Sequence, residues 1–205
     1  MSHYLAFVLF ATLVAIAPGP DSFLTLRTTV VGGRARGLWT AAGICLAGTV
    51  QGLLAATGLG AAIAAAEPVF QVIRWGGVVY LGYLGISALR AAARVGSEGW
   101  ATSASGAWTP LRAMRQGFLC NITNPKVLAF NLAVLPQFAG DDASLGALIA
   151  YGLTLTAVGA VVLLAIVAAG GAAQRLIQRD RVRRGVEGAT GVVFLGFAGA
   201  LAAEA

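Results

Sequence analysis

Apolar residues run along this chain in long stretches, and short charged clusters separate them. Stretches free of Asp, Glu, Lys and Arg extend over Tyr4–Pro20, Gly37–Ala66, Trp75–Leu89, Gln116–Pro125, Val127–Gly140, Ala143–Gln174 and Gly188–Ala203. A helix needs about 20 mostly apolar residues to cross the hydrocarbon core of a bilayer. Only Lys126 separates the fourth stretch from the fifth, so the two merge into one span and six helices are predicted. The third stretch is short, but Arg74 and Arg90 at its ends can snorkel and lengthen it. The second and sixth stretches exceed one crossing, so their ends are predicted to be tilted or interfacial.

The basic residues alternate with these spans. Arg27, Arg34 and Arg36 follow the first predicted helix; Arg90, Arg94, Arg112 and Arg115 follow the third; Arg175, Arg179, Arg181, Arg183 and Arg184 follow the fifth. Together they are twelve of the 14 Lys and Arg residues. The opposite side keeps Arg74 with Glu67, Asp141, Asp142 and Glu204, and Lys126 lies within a span. Basic loops stay in the cytoplasm, so both termini are predicted outside it. The Gly-, Ser- and Ala-rich stretch Gly96–Trp108 reads as a flexible cytoplasmic loop. A single transporter domain over 1–205 is expected, with halves 1–95 and 110–205 joined by 96–109.

Composition agrees with burial in lipid. The chain is 58% hydrophobic and 11% charged, whereas soluble domains carry about 25% charged residues. A net charge of +6 would suit nucleic acid, but the basic residues sit in the gaps between spans with no aromatic-basic motif. Nucleic-acid binding is therefore excluded. Cys45 and Cys120 lie inside apolar stretches without metal or redox spacing and read as packing residues. Ala15-Ile16-Ala17 resembles a cleavage site, but no Lys or Arg precedes it, so the first segment is read as a retained helix. On the second helix Gly48, Gly52, Ala56 and Gly60 make one small-residue face for close helix contact.

Two predicted helices carry breakers. The first contains Ala17-Pro18-Gly19-Pro20-Asp21-Ser22, and the fourth contains Asn121-Ile122-Thr123-Asn124-Pro125-Lys126. Proline lacks the backbone donor to the carbonyl four residues back. Pro18 and Pro20 thus free the carbonyls of Val14 and Ile16, and Pro125 frees that of Asn121. Exposed backbone at membrane depth is tolerated only where protein or a polar cavity satisfies it. The breaks occupy corresponding places in two three-helix halves, and an odd helix count inverts the second half. Inverted repeats with paired breaks point to a transporter's central site. The expected fold is all-α: six transmembrane helices in two inverted three-helix repeats, with helices 1 and 4 broken by proline. Asp21 follows Pro20 and Lys126 follows Pro125. A charge at mid-bilayer costs roughly 2.5–3.5 kcal/mol, so these two are read as substrate or coupling residues. The alternative is an Asp21–Lys126 ion pair that clips the halves together.

Pro18-Gly19-Pro20-Asp21, Gly77-Val78-Val79-Tyr80-Leu81-Gly82-Tyr83-Leu84-Gly85, and Gln116-Gly117-Phe118 with Asn124-Pro125-Lys126 and Leu135-Pro136-Gln137-Phe138 resemble the LysE/RhtB family of amino-acid exporters. The resemblance spans nearly the whole chain. It implies proton-coupled export of amino acids or related metabolites across a bacterial inner membrane. Two departures stand out: Gln51 occupies a position on helix 2 where relatives often carry a polar or His residue, and the segment after Asn-Pro-Lys is poor in Phe and includes Asn131.

A zwitterionic solute needs a cationic and an anionic pole. Lys126 is assigned to its carboxylate, and Asp21 with the freed carbonyls to its ammonium or to a proton. Asn121, Asn124 and Asn131 can donate or accept beside Lys126. Gln51, Thr49, Tyr151 and Thr154 are further candidates for the cavity, each individually better explained as a helix-packing hydrogen bond. The only His is His3, at the N-terminus, and neither a nucleophile–base pair nor a metal-ligand cluster is apparent. An enzyme, a metal site and a cofactor are therefore not expected. An exporter of another small solute or cation, and a non-catalytic assembly subunit, are the alternatives; a homo-oligomer is compatible with either.

Overall fold

A computed structural model describes residues 2–17, 19–58, 66–94, 108–139, 144–172 and 180–203. Pro18, Gly60, Asp141, Asp142, Arg175, Arg179, Glu204 and the stretch 95–107 lie outside the described residues. The regular elements among the described residues are all helical: α1 (Ser2–Ile16), α2 (Pro20–Ala56), α3 (Glu67–Arg94), α4 (Pro110–Ile122), α5 (Pro125–Ala129), a π-helical turn (Phe130–Val134), α6 (Leu135–Ala139), α7 (Leu145–Ala172) and α8 (Asp180–Ala203). Four stretches among them are long and apolar enough to cross a membrane: Pro20–Ala56, Trp75–Arg94, Leu145–Ala172 and Asp180–Ala203. The exposed positions include Leu5, Leu9, Leu13, Leu153, Val161, Leu164 and Val192. A surface so rich in aliphatic side chains suits lipid, where backbone polar groups must be satisfied within helices. The chain is an all-α membrane protein.

Helix α2 has 37 residues and would extend about 55 Å if straight, far more than the roughly 30 Å core. It does not stay straight. Gly33 adopts φ 85 and ψ 168, a conformation open to glycine and strained for other residues. The chain doubles back there, because the side chain of Thr29 fills the space a Cβ on Gly37 would need. Those two residues lie symmetrically about Gly33. Residues 20–32 and 34–56 are therefore antiparallel neighbours joined by a tight turn.

This changes the expected boundaries. The first predicted helix was expected to be broken at Pro18–Pro20 and followed by a basic loop from Arg27. Helix α1 stops at Ile16 and a second helix begins at Pro20, and Arg27 lies within that helix rather than in a loop. The second charge-free stretch runs to Ala66, with its ends expected to be tilted or interfacial, and its helix ends at Ala56, with Gly58 at positive φ just beyond. Helix α8 begins at Asp180, well before Gly188, so Arg181, Arg184 and Glu187 are helical. At Arg27 and before Gly188 a charge was taken as the end of a helix, although an intrahelical charge is stable when it has a partner or reaches the interface.

Glycines set the packing. A Cβ on Gly43 would overlap the Met114 carbonyl, and one on Gly117 would overlap the Thr40 carbonyl, so α2 and α4 meet backbone to backbone. Gly52 meets Gly152 of α7 in the same way, and Gly48 faces Thr156. The small-residue face read on the second helix is therefore the seat of α7. Helix α3 pairs with α8, where Gly85 lies against Leu195 and Gly191 against Leu89. Leu81, Leu84, Phe194 and Ala198 join Leu24 of α2 and Cys120 of α4 in one buried cluster. A second cluster gathers Phe7, Ala11 and Phe130.

Candidate functional site

The site forms where two helix interruptions meet. At the second, α4 ends at Ile122 and α5 starts at Pro125. Asn124 caps α5: its side-chain oxygen accepts from the Lys126 backbone N–H at 3.1 Å. Proline at the first helical position suits a site where the N–H would lack a partner anyway. At the first interruption α2 starts at buried Pro20 with Asp21 in its first turn, where the positive helix end favours a carboxylate.

The two interruptions hold each other. Asn121 Nδ2 and Asn124 Nδ2 both donate to Asp21 Oδ2, at 2.9 and 2.8 Å. In return Lys126 Nζ donates to the carbonyls of Val14 and Ala17, at 3.1 and 2.9 Å. The Val14 carbonyl is one that Pro18 leaves without a helical donor. Gln51 Nε2 donates to the Asn121 carbonyl at 3.0 Å, the one that Pro125 leaves open, and the Asn124 backbone N–H closes on the same oxygen at 2.9 Å. Asn131, on the π-helical turn, donates to Gln51 Oε1 and to the Val127 carbonyl. π-turns inside helices often mark functional positions.

Asp21 and Lys126 line one cavity of about 90 Å³, with Ser22, Cys45, Gly48, Asn121 and Thr156. Its apolar wall includes Ile44, Phe130, Leu155, Val162 and Leu163. Several buried atoms here lack a hydrogen-bond partner: Asp21 Oδ1, Asn121 Oδ1 and Asn131 Oδ1. Such groups are rare in folded proteins and call for a specific explanation. An acceptor-rich pole, an ammonium pole and an apolar wall can together hold a small zwitterion.

The expected residues are sorted by this geometry. Asp21, Lys126, Asn121, Asn124, Gln51 and Asn131 belong to one connected network. Pro20 and Pro125 begin the two helices that carry it, and Pro18 lies outside the described residues. The Asp21–Lys126 ion pair considered as an alternative is not formed in this structure: Lys126 Nζ turns to the Val14 and Ala17 carbonyls, and Asp21 Oδ2 to Asn121 and Asn124. Thr49, Tyr151 and Thr154 do not enter the network. Thr49 bonds back to the Cys45 carbonyl, Tyr151 packs edge-on against Phe7 at 4.7 Å, and Thr154 pairs with the Tyr4 hydroxyl at 2.7 Å.

The profile of the LysE type translocators matches residues 12–205. The chain belongs to the LysE type translocator family. It is 27% identical over 203 residues to a leucine efflux protein of Klebsiella pneumoniae, covering 98% of this chain and 94% of the relative. It is 29% identical over 201 residues to an uncharacterized membrane protein of Pseudomonas aeruginosa, covering 96% and 93%. It is 29% identical over 135 residues to a homoserine/homoserine lactone efflux protein of Salmonella typhimurium, covering 66% and 64%. No solved structure matches the chain. A LysE type translocator is a transporter and not an enzyme.

The cavity wall also takes in residues not expected there. Ser22 and Thr156 are common helix residues with no sequence mark, and Cys45, read as a packing residue, lines the cavity as well. Arg27 and Glu187 form a buried ion pair. Glu187 was hidden by its setting, Asp180-Arg181-Val182-Arg183-Arg184-Gly185-Val186-Glu187, which reads as a solvated charge cluster.

Proposed function

We propose that this translocator exports amino acids or closely related metabolites from the cytoplasm across a bacterial inner membrane, driven by the proton gradient. The observation that carries this reading is the cavity holding the Lys126 ammonium, the unpartnered Asp21 Oδ1 and an aliphatic wall within one bundle. The ammonium has three donors, of which two are taken by Val14 and Ala17, and the third is assigned to the substrate carboxylate. Asp21 Oδ1 and Asn121 Oδ1 receive the substrate ammonium, and Asp21 is assigned the coupled proton. Leucine and homoserine efflux by relatives supports the substrate class.

The proposed topology has six spans in two inverted three-helix halves, with the basic loops in the cytoplasm and both termini outside. Rocking one half against the other alternates access to a site at the half–half junction. A proton entering down a 100 mV potential supplies about 2.3 kcal/mol, which sustains a roughly forty- to fiftyfold solute gradient.

The test is transport by purified protein in proteoliposomes, across a panel of labelled leucine, homoserine, lysine and glutamate, with and without an uncoupler. Movement of at least one amino acid, collapsing with the uncoupler, is expected. Movement of none, or of inorganic cations only, would exclude the reading. Movement that ignores the uncoupler would remove proton coupling alone.

A further inference from the structure

Between the cavity and the turn at Gly33 lies a strip of buried polar side chains that the central site does not use. Thr25, Thr28 and Thr29 on residues 20–32 of α2 are at most 2% exposed. Thr40, across the hairpin, and Thr190 of α8 are fully buried. Thr28, Thr29, Thr40 and Thr190 bond back to carbonyls of their own helices, while Thr25 Oγ1 has no partner.

The strip ends on charge. Arg27 Nε donates to Glu187 Oε2 at 2.6 Å, with Glu187 1% and Arg27 16% exposed. Arg36 stands within electrostatic reach of both, and its Nε is buried without a partner. Arg27 lies six residues beyond Asp21, about 9 Å along the helix. The cluster therefore ties α2, which carries Asp21, to the start of α8.

A staple between two helices is served at least as well by packed apolar side chains, because burying an ion pair costs desolvation that its attraction only partly offsets. A charge pair differs in being exchangeable. We propose that the buried strip is the solute path from the central site toward the basic face, and that Arg27–Glu187 is its gate, closed in this structure. This rests on the transport reading of the cavity. When α8 parts from α2, Glu187 leaves Arg27. Two guanidiniums, Arg27 and Arg36, then line the mouth, where they attract the carboxylate of an incoming zwitterion. The next closure restores the pair behind the bound solute.

The native Cys45 in the cavity wall reports on the gate without any substrate. Membrane vesicles of both orientations are treated with a membrane-impermeant, charged methanethiosulfonate, and modification of Cys45 and Cys120 is followed by mass spectrometry. Slow modification of wild-type Cys45 is expected. Glu187→Gln and Arg27→Gln should each raise the Cys45 rate at least tenfold from the basic face only, and the exchange R27E/E187R should restore protection. If Glu187→Gln fails to insert, Glu187→Asp keeps the charge on a shorter arm and should still raise the rate severalfold. An unchanged rate in the variant that inserts would overturn the gate. So would an equal rise from both faces together with new reactivity at Cys120, which marks a loosened bundle. Failure of wild-type protein to move any amino acid would overturn the exporter reading instead, and the labelling would register it separately.

Discussion

Replacing Asp21 by Asn separates the charge of this residue from its structural role. Asp21 Oδ2 accepts two amide N–H groups, from Asn121 and Asn124. An asparagine side chain has nearly the same shape and can keep its oxygen in that position. Hydrogen bonds to a charged group are worth about 1.5–3 kcal/mol each and neutral ones about 0.5–1.5. Two bonds therefore lose roughly 2–3 kcal/mol in total. Against this, the folded state no longer holds a desolvated carboxylate, whose burial costs several kcal/mol in real proteins. Net destabilisation of at most about 1 kcal/mol is expected. Asp21→Ala leaves both amides without an acceptor, at about 1–3 kcal/mol each, so a loss of roughly 2–6 kcal/mol is expected. Thermal unfolding in detergent measures this contrast. Transport should separate the two differently: Asp21→Asn should abolish proton-driven accumulation yet retain substrate–substrate exchange, because exchange needs no net proton movement. Gradient-driven efflux at the wild-type rate in Asp21→Asn would refute the assignment of the proton to this carboxylate.

Four further outcomes follow from the same geometry. Lys126→Met should abolish efflux and destabilise the protein by about 1–3 kcal/mol, because the Val14 carbonyl loses its donor; unfolding and efflux assays on one preparation check both. Gln51→Leu should cost only about 1 kcal/mol, since the Asn124 N–H still serves the Asn121 carbonyl, but substrate affinity should fall as Asn131 loses its link to helix α2 and keeps only the Val127 carbonyl; a competition binding curve reads this. Gly117→Val places side-chain atoms where the Thr40 carbonyl lies, and overpacking of this kind costs about 1–3 kcal/mol or more; a sharp drop in folded yield on size-exclusion chromatography is expected. Tyr151→Phe should leave efflux at the wild-type level, because the ring packs against Phe7 and the hydroxyl takes no part in the site.

Class and membrane residence were legible along the chain, since they depend on the amount of apolar residue and on where charge interrupts it. The missing donors at Pro18, Pro20 and Pro125 were equally legible, because proline's lack of an N–H is covalent and local. That local fact names the carbonyls left open at Val14 and Asn121. It does not name Lys126 and Gln51 as the groups that close on them, since those come from other helices. Charge patterning misled at Arg27 and Glu187. Each looks like the solvated end of a span, and only the approach of α8 to α2 turns the two into a buried pair, separated by 160 positions in sequence. A reversal between Arg27 and Arg36 was expected as a basic loop, but its form as a tight turn at Gly33 was not legible, because a glycine in Val31-Gly32-Gly33-Arg34 tolerates either a continued helix or a positive φ, and the seating of Gly37 on Thr29 selects between them. Sequence alone determined what must be hidden from lipid and which backbone groups begin without partners. Tertiary structure decided which side chains satisfy them, because hydrogen-bond partners are chosen by proximity in space, and helix packing alone sets that proximity.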